Sequence, residues 1–212
     1  MYWRMDGGTY SITLIMKRTL FLLASVILLT QLGKAQDTVK TNQFYNDEFK
    51  WKITIPPNFQ TVNAVEWNKF KNKGSEAVEK TYDQKVVDKS KTIFVFRSDN
   101  FNYFEANYQP FDIKTDGDYL ASNKAVDKVL YNTLKAQIPN VTVDSASTQI
   151  NVGNLPFNAF ILRASLPNNI IFSIYSFSRL FGKKDFTVNI MFVNSTKGDI
   201  MLNAWKSSTF GN

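Results

Sequence analysis

Past residue 43 the chain begins to alternate. Phe49, Trp51, Ile53 and Ile55 are separated by Lys50, Lys52 and Thr54. A period of two predicts a strand over residues 50–55 with one face buried and one wet. Pro56 and Pro57 end it, because proline cannot donate to the ladder. Residues 60–90 carry a broken helical pattern. Val62, Val65, Trp67 and Phe70 suit one short helical turn, Gly74 and Ser75 interrupt it, and Val78, Tyr82 and Val86 recur every four residues. Two short helices or a long loop fit that segment equally. Residues 93–96 and 101–108 are dense in apolar side chains and predict two strands. Ser98, Asp99 and Asn100 lie between them as turn residues that bond their own backbone.

The clearest helix is predicted over residues 118–138. Tyr119, Val126, Leu130, Leu134 and Ile138 form its apolar stripe, with Val129 alongside. Asp116 and Asp118 stand where carboxylates satisfy the orphan N–H groups of a first turn, and Pro139 stops the helix. The last third is mostly strand. Val141 alternates with Val143 and Ile150 with Val152, and residues 157–166, 170–180 and 186–193 follow. Gly153-Asn154, Pro167-Asn168-Asn169 and Gly182 supply the turns. Ser195 or Thr196 is the expected cap of a final helix running to Trp205, with Ile200, Met201, Ala204 and Trp205 inward. Strands grouped in runs with helices between the runs predict an α+β fold, an antiparallel β-sheet meander covered by helices. The strands named here, residues 50–55 included, are expected in one sheet.

This order resembles the PsbP-like α/β/α sandwich family. The residues that carry the resemblance are the opening strand ending in Ile53-Thr54-Ile55-Pro56, the long central helix, and the meander turn Ile150-Asn151-Val152-Gly153-Asn154. A closing strand over 186–192 and a helix ending in Ser207-Ser208-Thr209-Phe210 complete it. Members include the extrinsic subunit of the photosynthetic water-oxidising complex, a nuclear transport factor and many exported bacterial proteins. The resemblance implies a central antiparallel sheet between helical layers and, from its better-known members, binding of protein partners rather than catalysis. No functional residue carries over, because no shared site motif is present.

The N-terminus predicts export. Met16, Lys17 and Arg18 form a basic start, residues 19–32 are almost wholly apolar, and Gly33, Lys34 and Ala35 give a small-x-small site before Gln36. The apolar run is shorter than the roughly 20 residues a bilayer crossing needs. Residues 1–15 are read as an upstream extension outside the true protein, 16–35 as a signal peptide cleaved between Ala35 and Gln36, and 36–43 as a flexible leader. Residues 44–212 are read as a single domain. The expected location is the periplasm or the exterior, with no stable membrane anchor after cleavage. Arg4, Lys17, Arg18 and Lys34 contribute to the formal net charge of +7 and leave with the leader, so charge gives no case for nucleic acid.

The chemistry is bounded by what is missing. The chain has no histidine and no cysteine, which removes the usual nucleophile pairs, the histidine base and nearly all zinc or haem ligation. No cofactor and no metal are expected, and no catalytic residue is assigned. Paired carboxylates remain: Asp47 with Glu48, Glu76 with Glu79, and Asp116 with Asp118. Each has a plain structural role as turn, wet helix face or cap. A serine–lysine pair around Ser75, Ser90 or Ser195 would need a buried lysine, and the nearby lysines sit in polar stretches. Aromatic residues make up 15% of the chain, and Phe101, Tyr103, Phe104, Tyr108 and Phe111 place rings on both faces of one strand. Tyr103, Tyr108 and, in the ambiguous segment, Trp67 are the candidate binding residues, since exposed rings mark interaction surfaces. The expected function is a non-enzymatic binding or accessory domain with a protein or small-molecule partner. A carboxylate-dependent hydrolase such as a glycosidase and a structural component of an envelope assembly are the alternatives.

Overall fold

Alternation of inward and outward side chains builds two sheets here, not one. In the computed structural model, which describes residues 43–85, 87–167 and 169–211, β1 (Gln43–Asn46), β2 (Trp51–Thr54) and β10 (Thr209–Phe210) form a small sheet in the order β1-β2-β10. The main sheet contains β3 (Gln60–Thr61), β4 (Lys91–Asp99), β5 (Asn102–Pro110), β6 (Thr142–Val152), β7 (Leu155–Ser165), β8 (Ile171–Phe181) and β9 (Lys184–Phe192). Its order is β3-β4-β5-β9-β8-β7-β6, with every neighbouring pair antiparallel. The signal segment, its cleavage point at Ala35 and Gln36, and Val86 lie outside the described residues. Among the described residues no helix is long and apolar enough to cross a membrane.

The opening strand therefore departs from the single-sheet expectation. Trp51 and Ile53 point into the core while Lys52 and Thr54 face solvent, as the alternation required. Its backbone, however, pairs with β1 and with the late strand β10, so the first and last described strands are joined through it over one face of the main sheet. That face is an aromatic core. Trp51, Phe104, Phe157, Phe186 and Trp205 are all fully buried there, and α4 (Ser195–Lys206) supplies Trp205. The cap of α4 is Asn194, whose side chain accepts from the Lys197 N–H. Asn194 takes the role expected of Ser195 or Thr196 because a carboxamide oxygen caps as well as a hydroxyl and the helix starts one residue earlier.

The opposite face carries α1 (Ala64–Tyr82) and α3 (Tyr119–Gln137), with the one-turn α2 (Ile113–Asp116) between β5 and α3. The ambiguous segment is thus one helix of 19 residues. Its buried stripe is Trp67, Lys71, Gly74 and Val78, spaced i, i+4, i+7, i+11. The stripe passes through a lysine and a glycine, so an apolar count alone breaks it in two. The α3 stripe falls as predicted, with Val126, Val129, Leu130 and Leu134 buried. Asp118 is its N-cap, accepting from the Ala121 N–H, while Asp116 belongs to α2 and accepts from the Asp112 N–H. The turn between β6 and β7 is made by Gly153 and Asn154, both at positive φ, the backbone that lets a two-residue hairpin follow the strand twist.

Candidate polar ligand site

The main sheet's helix-covered face changes character along the strands, and the register shows where. One row across it is apolar: Tyr103 opposite Met191, Met191 opposite Ile174, Ile174 opposite Leu162. The C-terminal half of α3 covers this row with Val129, Leu130 and Leu134. The next rows are polar. Glu105 pairs with Asn189 and Asn189 with Ser176; Asn107 pairs with Thr187 and Thr187 with Ser178. Beyond them Gln109 pairs with Asp185, and Asn158 with both Ser178 and Gln149. The N-terminal half of α3 stands over this polar block and leaves a cavity of about 180 Å³ between helix and sheet. Leu120, half exposed at its edge, opens it to solvent.

Two carboxyl groups orient the floor. Glu105, fully buried, receives both its oxygens' hydrogen bonds from the Asn107 Nδ2 at 2.8 Å and a further one from the Asn189 Nδ2 at 2.8 Å. Asp185, 1% exposed, receives the Gln109 Nε2 at 3.2 Å and the Tyr119 hydroxyl at 2.7 Å. A carboxamide whose NH₂ is committed to a carboxylate must turn its carbonyl the other way. The Gln109 Oε1 and Asn189 Oδ1 are accordingly buried with no hydrogen-bond partner among the described residues, and both residues line the cavity. From the α3 side the Asn123 Nδ2 is buried in the same condition. Leaving a buried polar atom unpaired costs about 1–3 kcal/mol, so three around one cavity are a concentrated expense.

Burial pushes the Glu105 carboxyl up to about 8, and the bonds from Asn189 and Asn107 and the charge of Lys71 only partly oppose that. Glu105 is therefore neutral at pH 7, and one of its oxygens is then an O–H that donates to a neighbouring carboxamide rather than accepting from it. Lys71 is itself buried, contrary to the expectation for lysines in this stretch. Its ammonium pairs with Asp88 at 2.5 Å and donates to the Ser90 Oγ at 3.3 Å. The Ser90 hydroxyl donates to the Asp88 Oδ1 at 2.5 Å. Serine and lysine thus share the Asp88 carboxylate.

The sequence-predicted ring sites fall elsewhere. Tyr103 is 1% exposed, packs edge-on against Trp67 and Phe70, and donates its hydroxyl to the Met191 Sδ at 2.9 Å. Trp67 is 3% exposed and stacks on Phe70. Both are core, not surface, because each face of β5 is covered: α1 and α3 on the Tyr103 side, the small sheet and α4 on the Phe104 side. Tyr108 stays half-buried at the periphery, edge-on to Phe49 with the Lys91 and Lys184 ammonium groups 5.9 Å and 5.8 Å from its ring. The paired carboxylates are also away from the cavity. Asp47 pairs with Lys50 at 2.7 Å, Glu48 pairs with Lys184, and Asp118 caps α3. The residues that do meet at the cavity could have been found from the strings Glu105-x-Asn107-x-Gln109 and Asp185-x-Thr187-x-Asn189, where polar side chains alternate with apolar ones.

An antiparallel seven-stranded sheet with helices over one face, and a helix and a small sheet over the other, is an α+β sandwich of the PsbP type. The structure is similar to that of cyanobacterial PsbP (CyanoP) from Synechocystis, at a TM-score of 0.52 over 85% of this chain and 99% of that chain, with 9% sequence identity. At that identity the likeness is one of fold. No protein-family model matches the sequence, and no curated protein matches it.

Proposed function

We propose that the chain is an exported, non-enzymatic binding module whose ligand is a small molecule seated in the polar cavity under α3. The observation that carries this reading is that three residues lining one cavity, Gln109, Asn123 and Asn189, each hold a buried side-chain atom with no partner among the described residues. A fold that needed only stability would place apolar groups there or pair these atoms internally. The basic–apolar–small pattern of residues 16–35 supports export. The carboxyls that hold the lining carboxamides favour binding over hydrolysis. Both Glu105 oxygens are engaged by carboxamides, and both Asp185 oxygens by Gln109 and Tyr119, so each is arranged to hold a neighbour rather than to attack a substrate.

The test is native mass spectrometry of the protein isolated from the exported fraction of its own host. A retained small molecule that is released on unfolding, and is missing from an Asn123→Leu preparation, is the expected result. A protein recovered bare under the same gentle conditions, bound only to another polypeptide, contradicts the reading and returns the domain to an assembly role.

A further inference from the structure

The geometry points to a ligand class: a neutral polyhydroxylated molecule of about one six-membered ring. This deepens the reading above and rests on it. The first argument is polarity. Two lining residues, Gln109 and Asn189, hold carbonyl oxygens with no partner among the described residues, and each amide is fixed through its NH₂ by a carboxyl group. An anion facing them would meet lone pairs, and with Asp185 just behind Gln109 it would meet further negative charge. A hydroxyl suits them, because it donates to a carbonyl and still accepts from a donor. That donor is present opposite, in the Asn123 Nδ2. The Ser176, Ser178 and Thr187 hydroxyls lining the same cavity donate or accept as required.

The second argument is charge. The Lys124 and Asp127 side chains, three residues apart on α3, line the cavity with opposite signs. With Asp185 the lining carries two carboxyl groups and one ammonium, which disfavours an anion. The third is size and surface. An apolar cavity of about 150 Å³ takes benzene, so about 180 Å³ has room for one ring with short polar substituents. Leu120, Val126 and Phe160 add apolar groups to the lining, a surface for the C–H face of such a ring. Mixed carboxamides, hydroxyls and a few apolar groups recognise a polyol, where a cluster of arginines or lysines would recognise phosphate.

The experiment follows the side-chain amide signals of Gln109, Asn123 and Asn189 by ¹H–¹⁵N NMR while the mature chain is titrated separately with glucose, myo-inositol, inorganic phosphate, acetate and methylammonium. Glucose or myo-inositol is expected to shift these signals at concentrations at least about tenfold lower than any charged probe, a difference of about 1.4 kcal/mol. Lys128→Ala, at a position exposed on α3 and outside the cavity lining, is expected to leave that affinity within about twofold, and Asn123→Leu to weaken it at least about tenfold. Tighter binding of phosphate, acetate or methylammonium overturns the ligand class while leaving the cavity a ligand site. No response of the three amides to any probe overturns both. Should Asn123→Leu fold poorly, Asn123→Ala, which removes the donor without adding a charge, gives the same comparison.

Discussion

Stability is expected to fall steeply as pH rises from about 4.5 to about 8. Glu105 has its carboxyl pushed up from an ordinary 4.5 to about 8, chiefly by burial. Over that interval the folded protein keeps a proton that the unfolded chain releases, so unfolding is favoured by rising pH. The slope for one group reaches about 1.4 kcal/mol per pH unit, and the window as a whole is worth on the order of 5 kcal/mol. The full contribution is present below pH 4.5 and is lost once pH passes about 8. Asp99 works the other way at the acid end. Burial raises it, but the bonds from Lys197, the Phe101 N–H, Asn102 and Ser98 together hold it below the usual aspartate value. Its contribution is present above the ordinary value of 3.8 and declines as pH falls. A maximum between the two carboxyl ranges follows. Urea denaturation at half-unit pH steps reads the profile, and Glu105→Gln should flatten its alkaline limb. A wild-type limb that is already flat, or one that Glu105→Gln leaves unchanged, would show that the carboxyl titrates normally.

The second large effect belongs to Trp205. Its indole is fully buried and meets Phe157 at 5.0 Å, Phe177 at 5.7 Å and Trp51 at 6.2 Å between ring centroids. These rings come from β7, β8 and β2, so one side chain of α4 joins the helix, the main sheet and the small sheet. Trp205→Ala removes the contacts and leaves a large hole, at a cost of about 3–5 kcal/mol. That is a large part of the 5–15 kcal/mol typical of a whole domain. Trp205→Phe should cost clearly less than Trp205→Ala, because it keeps one ring in the core and, with the indole Nε1 lacking a partner among the described residues, deletes a buried orphan donor. Guanidinium unfolding of the two variants, compared at equal slope, checks both expectations. Equal losses for Ala and Phe would mean that the Nε1 group, not ring packing, carries the residue's contribution.

The elements were legible where one period dominates. The α3 stripe from Val126 to Leu134 and the alternation of Trp51 with Ile53 are unambiguous, and the structure uses both. Two things were hidden for physical reasons. The stripe of α1 runs through Lys71 and Gly74, whose burial depends on Asp88 and on the helix packing above it, neither of which is visible in local hydrophobicity. The placement of β2 in the small sheet depends on pairing with Phe210, across nearly the whole chain.

The site was legible only in part. The polar alternation in Glu105, Asn107 and Gln109 and in Asp185, Thr187 and Asn189 reads, strand by strand, as an ordinary wet face. It becomes a site because β5 and β9 are neighbours in register and α3 lies over them, facts of tertiary order that a period of two does not encode. The rings of β5 drew attention for the opposite reason. Tyr103 and Phe104 point to opposite faces, and each face turns out to be covered.

The central claim is that the polar atoms under α3 are kept for a ligand at the expense of the empty fold. Asn123 isolates it, because its Nδ2 is buried at the cavity without a partner among the described residues and, unlike Asn189 and Gln109, it is not one of the side chains that hold Glu105 or Asp185. The measurement is the unfolding free energy of ligand-free Asn123→Leu against ligand-free wild type in urea at pH 6. A gain of about 1 kcal/mol or more is predicted, since an orphan donor is exchanged for apolar surface beside Leu120 and Val126. A loss of similar size would show that Asn123 serves the fold itself and would contradict the account.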